Sequence, residues 1–492
     1  MSGASAAALA VYAVVLAGAG VAVWRRPVVA LYGFIVGLAA HNLVVALLYG
    51  AGVRGGALEA IQAWKELLLA VALASVAWAA LRARQLPFRP GLVDALALLF
   101  AALVLLYAVL PQSALGGGAG AKAILYGLRH DLTPVAAYLL GRSVLLGRRE
   151  LRRLPWLLVG VAALVAGGGL IDQYAVPIEW WKDSGAVGWF TEQLGFAYHG
   201  PAGLPENFVL NTDTGLYRRL VSSFLSPLAT AYLLAVALLA AATPGQAWRR
   251  PRVLVPLGVI AAAGLLFTLS RSTLLAFAVG LGVLALARRS VWPAGAAVVV
   301  VAVAYVFVGQ FHHIGPTTHF FQADLAWQEQ NAQQKGALPE GTATSLSEPS
   351  LQGHWAALKA GLATVRDHPQ GFGLGNAGSN AVRFGVKLQA GESTYTEIGV
   401  ETGVPGLAVF VAWCLALLGA LVVAARRAGD DEGRRWLAGT AAASFAAVLA
   451  IAVQTDAVGV PWLAIVLWWV AGAAVARGSG EGVAGRPTRA AG

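Results

Sequence analysis

Residues 366–406 read RDHPQGFGLGNAGSNAVRFGVKLQAGESTYTEIGVETGVPG and run directly into LAVFVAWCLALLGALVV at 407–423. The first stretch is polar and bent by Gly371, Gly373 and Gly375. After its opening Arg366-Asp367 it carries two further bases, Arg383 and Lys387, and three further acids, Glu392, Glu397 and Glu401. The second is an apolar run of the length that crosses hydrocarbon. A polar loop is thus delivered to the mouth of a membrane helix, where polar groups are costly unless solvated, paired or used.

The rest of the chain repeats the apolar half of this pattern. Of 492 residues, 58% are hydrophobic and 12% charged, against roughly 25% charged in a soluble domain. Apolar spans are predicted over 6–24, 28–49, 60–81, 92–110, 123–146, 154–171, 221–241, 253–268, 273–287, 291–308, 404–425, 436–453 and 460–475. The expected fold is an all-α polytopic membrane protein of about 12–13 transmembrane helices. Short alternating strands of a β-barrel are not the pattern. A net charge of +11 raises nucleic acid as a partner. Most of the arginines, however, sit in short clusters between spans, which is the positive-inside pattern and not a nucleic-acid face. Cys414 is the single cysteine, so neither an internal disulfide nor a cysteine metal site is expected. The basic pair Arg25–Arg26 follows the first apolar run, the reverse of a cleavable signal peptide.

Placing Arg25–Arg26 inside and alternating puts every arginine cluster on the cytoplasmic side and both long polar loops outside. The expected organisation is transmembrane helices over 1–309 with an outer loop near 172–220, a long extracytoplasmic loop over 310–403 carrying substrate and catalytic elements, C-terminal helices over 404–476, and a disordered cytoplasmic tail over 477–492. The segments 323–335 and 354–365 read as short amphipathic helices lying over the outer face, with Trp327 and Trp355 facing sugar or lipid.

Removing the topology arginines leaves Lys65, Glu66, Lys122, Arg129, His130, Asp131, Arg218, Arg219, Arg271, Arg383, Lys387, Glu392, Glu397 and Glu401, all placed toward the outer side. Charges at one depth on separate segments suggest a common cavity. Its arginines suit a phosphate at headgroup depth. Local pairs such as Lys65–Glu66 and Arg129–Asp131 are the plainer alternative. GFGLGN lacks a preceding strand, so it reads as a flexible substrate loop and not a nucleotide site. Thr394 through Glu397 reads as a capping box, whose helix end would lower the pKa of Glu392. His312, His313 and His319 lack a further metal-ligand pattern.

These residues resemble the O-antigen ligase and O-antigen polymerase family of bacterial membrane glycosyltransferases, over about residues 60–425. RLVSSFLSP at 219–227 is similar to the family's arginine element, and LSRSTLLAF at 269–277 to its Ser-Arg element. HPQGFGLGNAG at 368–378 is similar to its glycine-rich segment, and ESTYTEIGVETGVPG at 392–406 to the element that re-enters the membrane. In the ligases that last element begins with His; Glu392 stands there, with the spacing to Gly403 and Gly406 kept, which leans toward the polymerases.

The resemblance implies transfer of a glycan from undecaprenyl pyrophosphate to a glycan or lipid-linked acceptor at the outer face of the bacterial cytoplasmic membrane. It implies no nucleotide sugar, cofactor or metal. Transfer needs a stabilised leaving pyrophosphate and an acceptor hydroxyl that loses its proton. Arg219 and Arg271 are the candidates for the first role and Glu392 for the second, with direct displacement inverting the anomeric centre. Arg129, Lys65, Arg218, His368, Tyr395 and Glu401 are the candidate substrate contacts. Membrane lipids and a chain-length regulator are expected partners. A ligase to lipid A core or protein is the alternative within the class. A lipid-linked oligosaccharide flippase is the alternative outside it, though charge at one leaflet alone does not suit a transport path.

Overall fold

The computed structural model describes residues 3–196, 198–212, 215–316, 318, 320, 322–323, 326, 349–389 and 392–476. His319, Trp327, most of 323–335 and the tail 477–492 lie outside the described residues. A helix occupies each predicted apolar interval. Eight helices are long and apolar enough to cross a membrane: Gly3–Arg25, Val28–Gly50, Trp64–Ala83, Leu92–Val109, Arg148–Ala175, Arg271–Arg288, Trp292–Gly309 and Thr394–Arg427. Pro227–Ala242, Pro251–Phe267 and Leu463–Val475 are shorter apolar helices. Ala121–Ser143 also packs in the bundle, but carries Lys122, Arg129, His130, Asp131 and Arg142. The protein is an all-α polytopic membrane protein. An antiparallel hairpin, Val209–Thr212 with Gly215–Arg218, is a detail that apolar periodicity does not predict.

Helices with many exposed apolar side chains mark the lipid-facing surface. Val14 on the first helix is 74% exposed and Val298 on Trp292–Gly309 is 71% exposed; in water such a surface would associate. The centre of the bundle is filled by aromatic packing among Phe100, Tyr138, Phe410, Trp413 and Trp468. Small residues let backbones meet where lipid gives no hydrophobic drive. A Cβ on Gly472 would lie 2.2 Å from the Tyr138 carbonyl oxygen.

The two ends of the bundle differ in chemistry. At one end Arg142 donates to both carboxylate oxygens of Asp94 at 2.8 and 3.1 Å and to the carbonyls of Arg89 and Val475. Tyr138 donates to the same carboxylate. This is a fully satisfied buried ion pair, the condition under which such pairs persist. Arg26, Arg249 and Arg426 make their contacts at that same end, to Glu150, Glu432 and the Leu286 carbonyl. The opposite end, the loop end, holds the described residues of 172–220, residues 349–389 and the start of the helix Thr394–Arg427.

That helix is broken inside. Gly403 has φ 68° and ψ −173°, a region open in practice only to glycine, and Pro405 lacks the N–H that would bond Glu401. The glycine-rich segment repairs the break. Phe372 N–H donates to the Val400 carbonyl at 2.7 Å, Gly373 N–H to the Glu401 carbonyl at 3.0 Å, and Val404 N–H to the Pro369 carbonyl at 2.8 Å. Backbone groups at membrane depth must find such partners. Asn376 ties the segment to Gln112 and to the Gly118 N–H, and Tyr107 donates to the Gln370 carbonyl. The sequence reading of GFGLGN as a flexible substrate loop is therefore corrected. It is a backbone clasp, and its glycines admit the close approach. A Cβ on Gly371 would lie 2.4 Å from Gly403 N.

Candidate functional site

Arg219 leaves the hairpin at the loop end, anchored by its own N–H to the Phe208 carbonyl. Its guanidinium donates to the carbonyls of Thr268 at 2.8 Å and Asn207 at 3.3 Å. Thr268 sits just before Arg271, the first residue of Arg271–Arg288, so the Arg219 contact brings the two arginines together. Burial and the Arg271 charge lower the Arg219 pKa to about 10, and it stays protonated at neutral pH. Among the described residues no carboxylate lies within ion-pair distance of Arg219. Two adjacent guanidinium groups make this part of the loop end locally positive.

Arg218, next in the chain, faces the other way. It is buried and donates to Asp172 Oδ1 at 2.8 Å, an atom that also accepts from Trp181 Nε1 at 2.7 Å. It is an internal strut of the loop end, where the sequence reading offered a solvated neighbour or a substrate contact. Arg218→Ala strands Asp172 in the interior, at a cost of about 3–5 kcal/mol. A marked drop in thermal unfolding temperature in detergent is the expected result.

Lys65 and Arg129 form a cluster with Glu66, at 3.5 and 3.3 Å. Lys65 also donates to the Gln62 carbonyl. Arg129 and the loop residue Arg383 both lie over the Tyr126 ring, at 4.5 and 4.6 Å. Asp131 does not pair with Arg129, two positions before it on the helix, where side chains do not face each other.

Asp131 bonds His130 instead. His130 Nδ1 lies 2.8 Å from Asp131 Oδ1, and Nε2 lies 3.0 Å from Asp456 Oδ2. A charged imidazolium donates to both. Asp131 Oδ2 is buried with no partner. Glu397 completes the group: the ligand atoms of His130, Glu397 and Asp456 all lie within 4.8 Å of one another, near enough to share a proton or hold one cation. Glu401, one turn on, accepts from Gly375 N–H at 2.8 Å; it fixes the clasp and not an arginine. Asp456 escaped the sequence reading. Its signal was a lone acid in the apolar run LAIAVQTDAVGVPWL, on the same side as the others. Tyr232 joins this group to the arginines: its hydroxyl bonds Thr455 Oγ1 at 2.7 Å, and both Asp456 and Arg219 act on it electrostatically.

The capping box expected over Thr394–Glu397 does not form. Ser393 takes the cap position without a side-chain cap bond and donates to the Ala452 carbonyl. Thr394 Oγ1 accepts from Ala457 N–H, and Glu397 turns into the buried group. Tyr395 donates to the Leu449 carbonyl at 3.0 Å and packs on Phe410, so its ring belongs to the core. His368 is an anchor, with Nε2 2.8 Å from the Leu115 carbonyl oxygen and its ring stacked on Phe372.

Glu392 stays at the surface, its side chain 63% exposed. It pairs with His354 of the helix Pro349–Asp367, with His354 Nδ1 2.7 Å from Glu392 Oε2. That hydrogen bond lowers the Glu392 pKa below its ordinary value. The direction is the one expected from the sequence, but the leading cause is His354 and not the helix end. Sequence reading missed His354, because its partner lies on a separate segment.

Residues 256–411 match the family model described as O-antigen ligase. The matched stretch includes Arg271, His354, the clasp and Glu392, and leaves out Arg219, His130 and Asp456. No curated protein matches the chain.

Proposed function

With an O-antigen ligase domain set in a polytopic membrane bundle, we propose that this chain is a polymerase of undecaprenyl-pyrophosphate-linked repeat units. At the coarser level it is a membrane enzyme of O-antigen or polysaccharide assembly that transfers glycosyl groups. The observation that supports transfer from a lipid pyrophosphate is the closeness of Arg219 and Arg271 at the loop end. A leaving pyrophosphate gains negative charge as the glycosyl bond breaks, and fixed guanidinium groups stabilise that charge more than the ground state. Lys65 and Arg129 supply further positive charge at that end.

In this reading the loop end faces the extracytoplasmic side of the bacterial inner membrane, and residues 310–403 form the outer loop over the site. The acceptor hydroxyl attacks the anomeric carbon on the face opposite the pyrophosphate, which inverts that centre. Its proton leaves through Glu392 and the groups around it. Glu392 standing where ligases begin with His supports a lipid-linked repeat unit as acceptor.

The test uses purified protein in proteoliposomes, supplied with lipid-linked repeat units and no other acceptor. A ladder of glycan lengths is expected. A product that forms only after lipid A core is added would identify a ligase and overturn the polymerase reading.

A further inference from the structure

The buried group at the loop end joins three separate segments. His130 comes from Ala121–Ser143, Glu397 from the first turn of Thr394–Arg427, and Asp456 from the turn after Glu432–Ile451. The donor atoms of these side chains all lie within 4.8 Å of one another. Two already stand close: His130 Nε2 lies 3.0 Å from Asp456 Oδ2. A tetrahedral zinc ion with donors at about 2.0–2.2 Å sets them about 3.3–3.6 Å apart. Glu397 is the side chain that has to close in, and little restrains it. It is 7% exposed, and among the described residues no hydrogen bond or ion pair ends on its carboxylate. A Cβ on Gly378 would sit 2.4 Å from both of its carboxylate oxygens, so a glycine keeps room for the head group. A buried carboxylate with no partner is costly unless it takes a proton or a cation.

The other two donors are held by outer contacts of the kind that orient metal ligands. Asp131 Oδ1 lies 2.8 Å from His130 Nδ1, which keeps a proton on that nitrogen and turns Nε2 toward Asp456 and Glu397. Gly459 N–H donates to Asp456 Oδ1 at 2.8 Å, and Thr394 Oγ1 lies 3.3 Å from the same oxygen. Asp456 Oδ2 is left for the inward side. Asp131 Oδ2 is buried with no partner, so a second anionic oxygen beside the group lacks a donor. One imidazole with two carboxylates is a zinc-type donor set, unlike the oxygen shells that hold magnesium or calcium. We propose that His130, Glu397 and Asp456 bind one divalent transition-metal ion of the zinc type. Binding displaces the Nε2 proton of the imidazolium, which passes to water, and the two charges of the ion offset Glu397 and Asp456. The ion's role is structural. It ties Ala121–Ser143 and the turn at Asp456 to the broken helix, less than two turns ahead of Gly403. Thr455, beside Asp456, carries the same tie to Tyr232. The ion's place does not depend on the glycosyl-transfer reading.

The experiment uses the full-length chain in detergent, free of a histidine tag, stripped with EDTA and then dialysed against zinc chloride. Bound zinc is counted by plasma mass spectrometry, and thermal unfolding is followed with and without zinc. His312 and His313, with ring centroids 3.7 Å apart, are the competing site, so His312→Ala/His313→Ala is measured beside Glu397→Gln and Asp131→Asn. Wild type and the His312→Ala/His313→Ala variant are expected to retain one zinc per chain and to unfold at a higher temperature with it. Glu397→Gln removes a charge while keeping the shape. It is expected to be as stable as wild type without zinc, and to lose both the bound ion and the thermal shift. Asp131→Asn keeps all three donors and is expected to weaken zinc about 10–100-fold, the cost of losing an outer partner. It decides the matter if Glu397→Gln does not fold. A wild type that takes up no zinc leaves the imidazolium to hold the group alone and overturns the proposal. Zinc bound equally by a folded Glu397→Gln, wild-type affinity in Asp131→Asn, or zinc lost in His312→Ala/His313→Ala would each overturn it as well.

Discussion

Arg271→Ala and Arg219→Ala are each expected to slow glycosyl transfer by about 10²–10³-fold, the loss seen when one fixed donor is removed from a developing anion. The argument starts from desolvation. Arg219 is half-buried, bonded to the carbonyls of Thr268 and Asn207, and pressed by the charge of Arg271. Fixed guanidinium groups side by side stabilise a growing negative charge, and a leaving pyrophosphate gains such charge. Lysine keeps the charge but not the two-pronged fork. Arg271→Lys is therefore expected to fall between wild type and alanine. If both arginines act on one pyrophosphate, the double alanine variant loses less than the product of the single losses. Rates measured with saturating lipid-linked donor check this. Independent, fully multiplicative losses would place the two side chains on different groups.

Gly403→Ala carries the largest structural penalty. Its φ of 68° with ψ −173° is strained for any other residue, at about 1–3 kcal/mol. A Cβ would also sit 2.4 Å from the Pro369 carbonyl oxygen and 2.7 Å from the Gln370 carbonyl carbon, atoms that cannot move without releasing the clasp. Freed carbonyls at Val400 and Glu401 would then lack partners at membrane depth, where each unsatisfied group costs several kcal/mol. Glu401 would lose its hold on Gly375, and the neighbouring Glu397 its place against His130 and Asp456. The expected result is a large drop in detergent unfolding temperature, with loss of activity following from it. An alanine variant as stable as wild type would show that the break does not organise this end.

Much of the fold was legible because its determinants are one-dimensional. Apolar runs of span length separated by arginine clusters leave few ways to arrange the chain, and a helix stands in each predicted interval. The charges to examine were legible too, because an ionised group beside hydrocarbon is costly. What each charge does was not, because roles depend on direction. Arg218 and Arg219 are adjacent, yet one is buried on Asp172 and the other sits beside Arg271. Tyr395 read as a substrate contact by sequence, and its half-buried ring packs on Phe410. His354 and Glu392 meet through a helix crossing that no spacing rule encodes. Asp456 sat alone between two spans, and only the structure shows His130 and Glu397 converging on it. The glycine run read as a flexible substrate loop, while its backbone N–H groups satisfy the carbonyls of a broken helix.

The most direct measurement follows the lipid carrier. Proteoliposomes holding the protein would be given lipid-linked repeat units, and the free undecaprenyl pyrophosphate formed would be quantified by mass spectrometry alongside new glycosidic bonds. One carrier pyrophosphate released per bond formed, in wild type and not in Arg271→Ala, is the predicted result. Intact donor that has only crossed the bilayer, with no carrier released, would contradict transfer and identify a transporter.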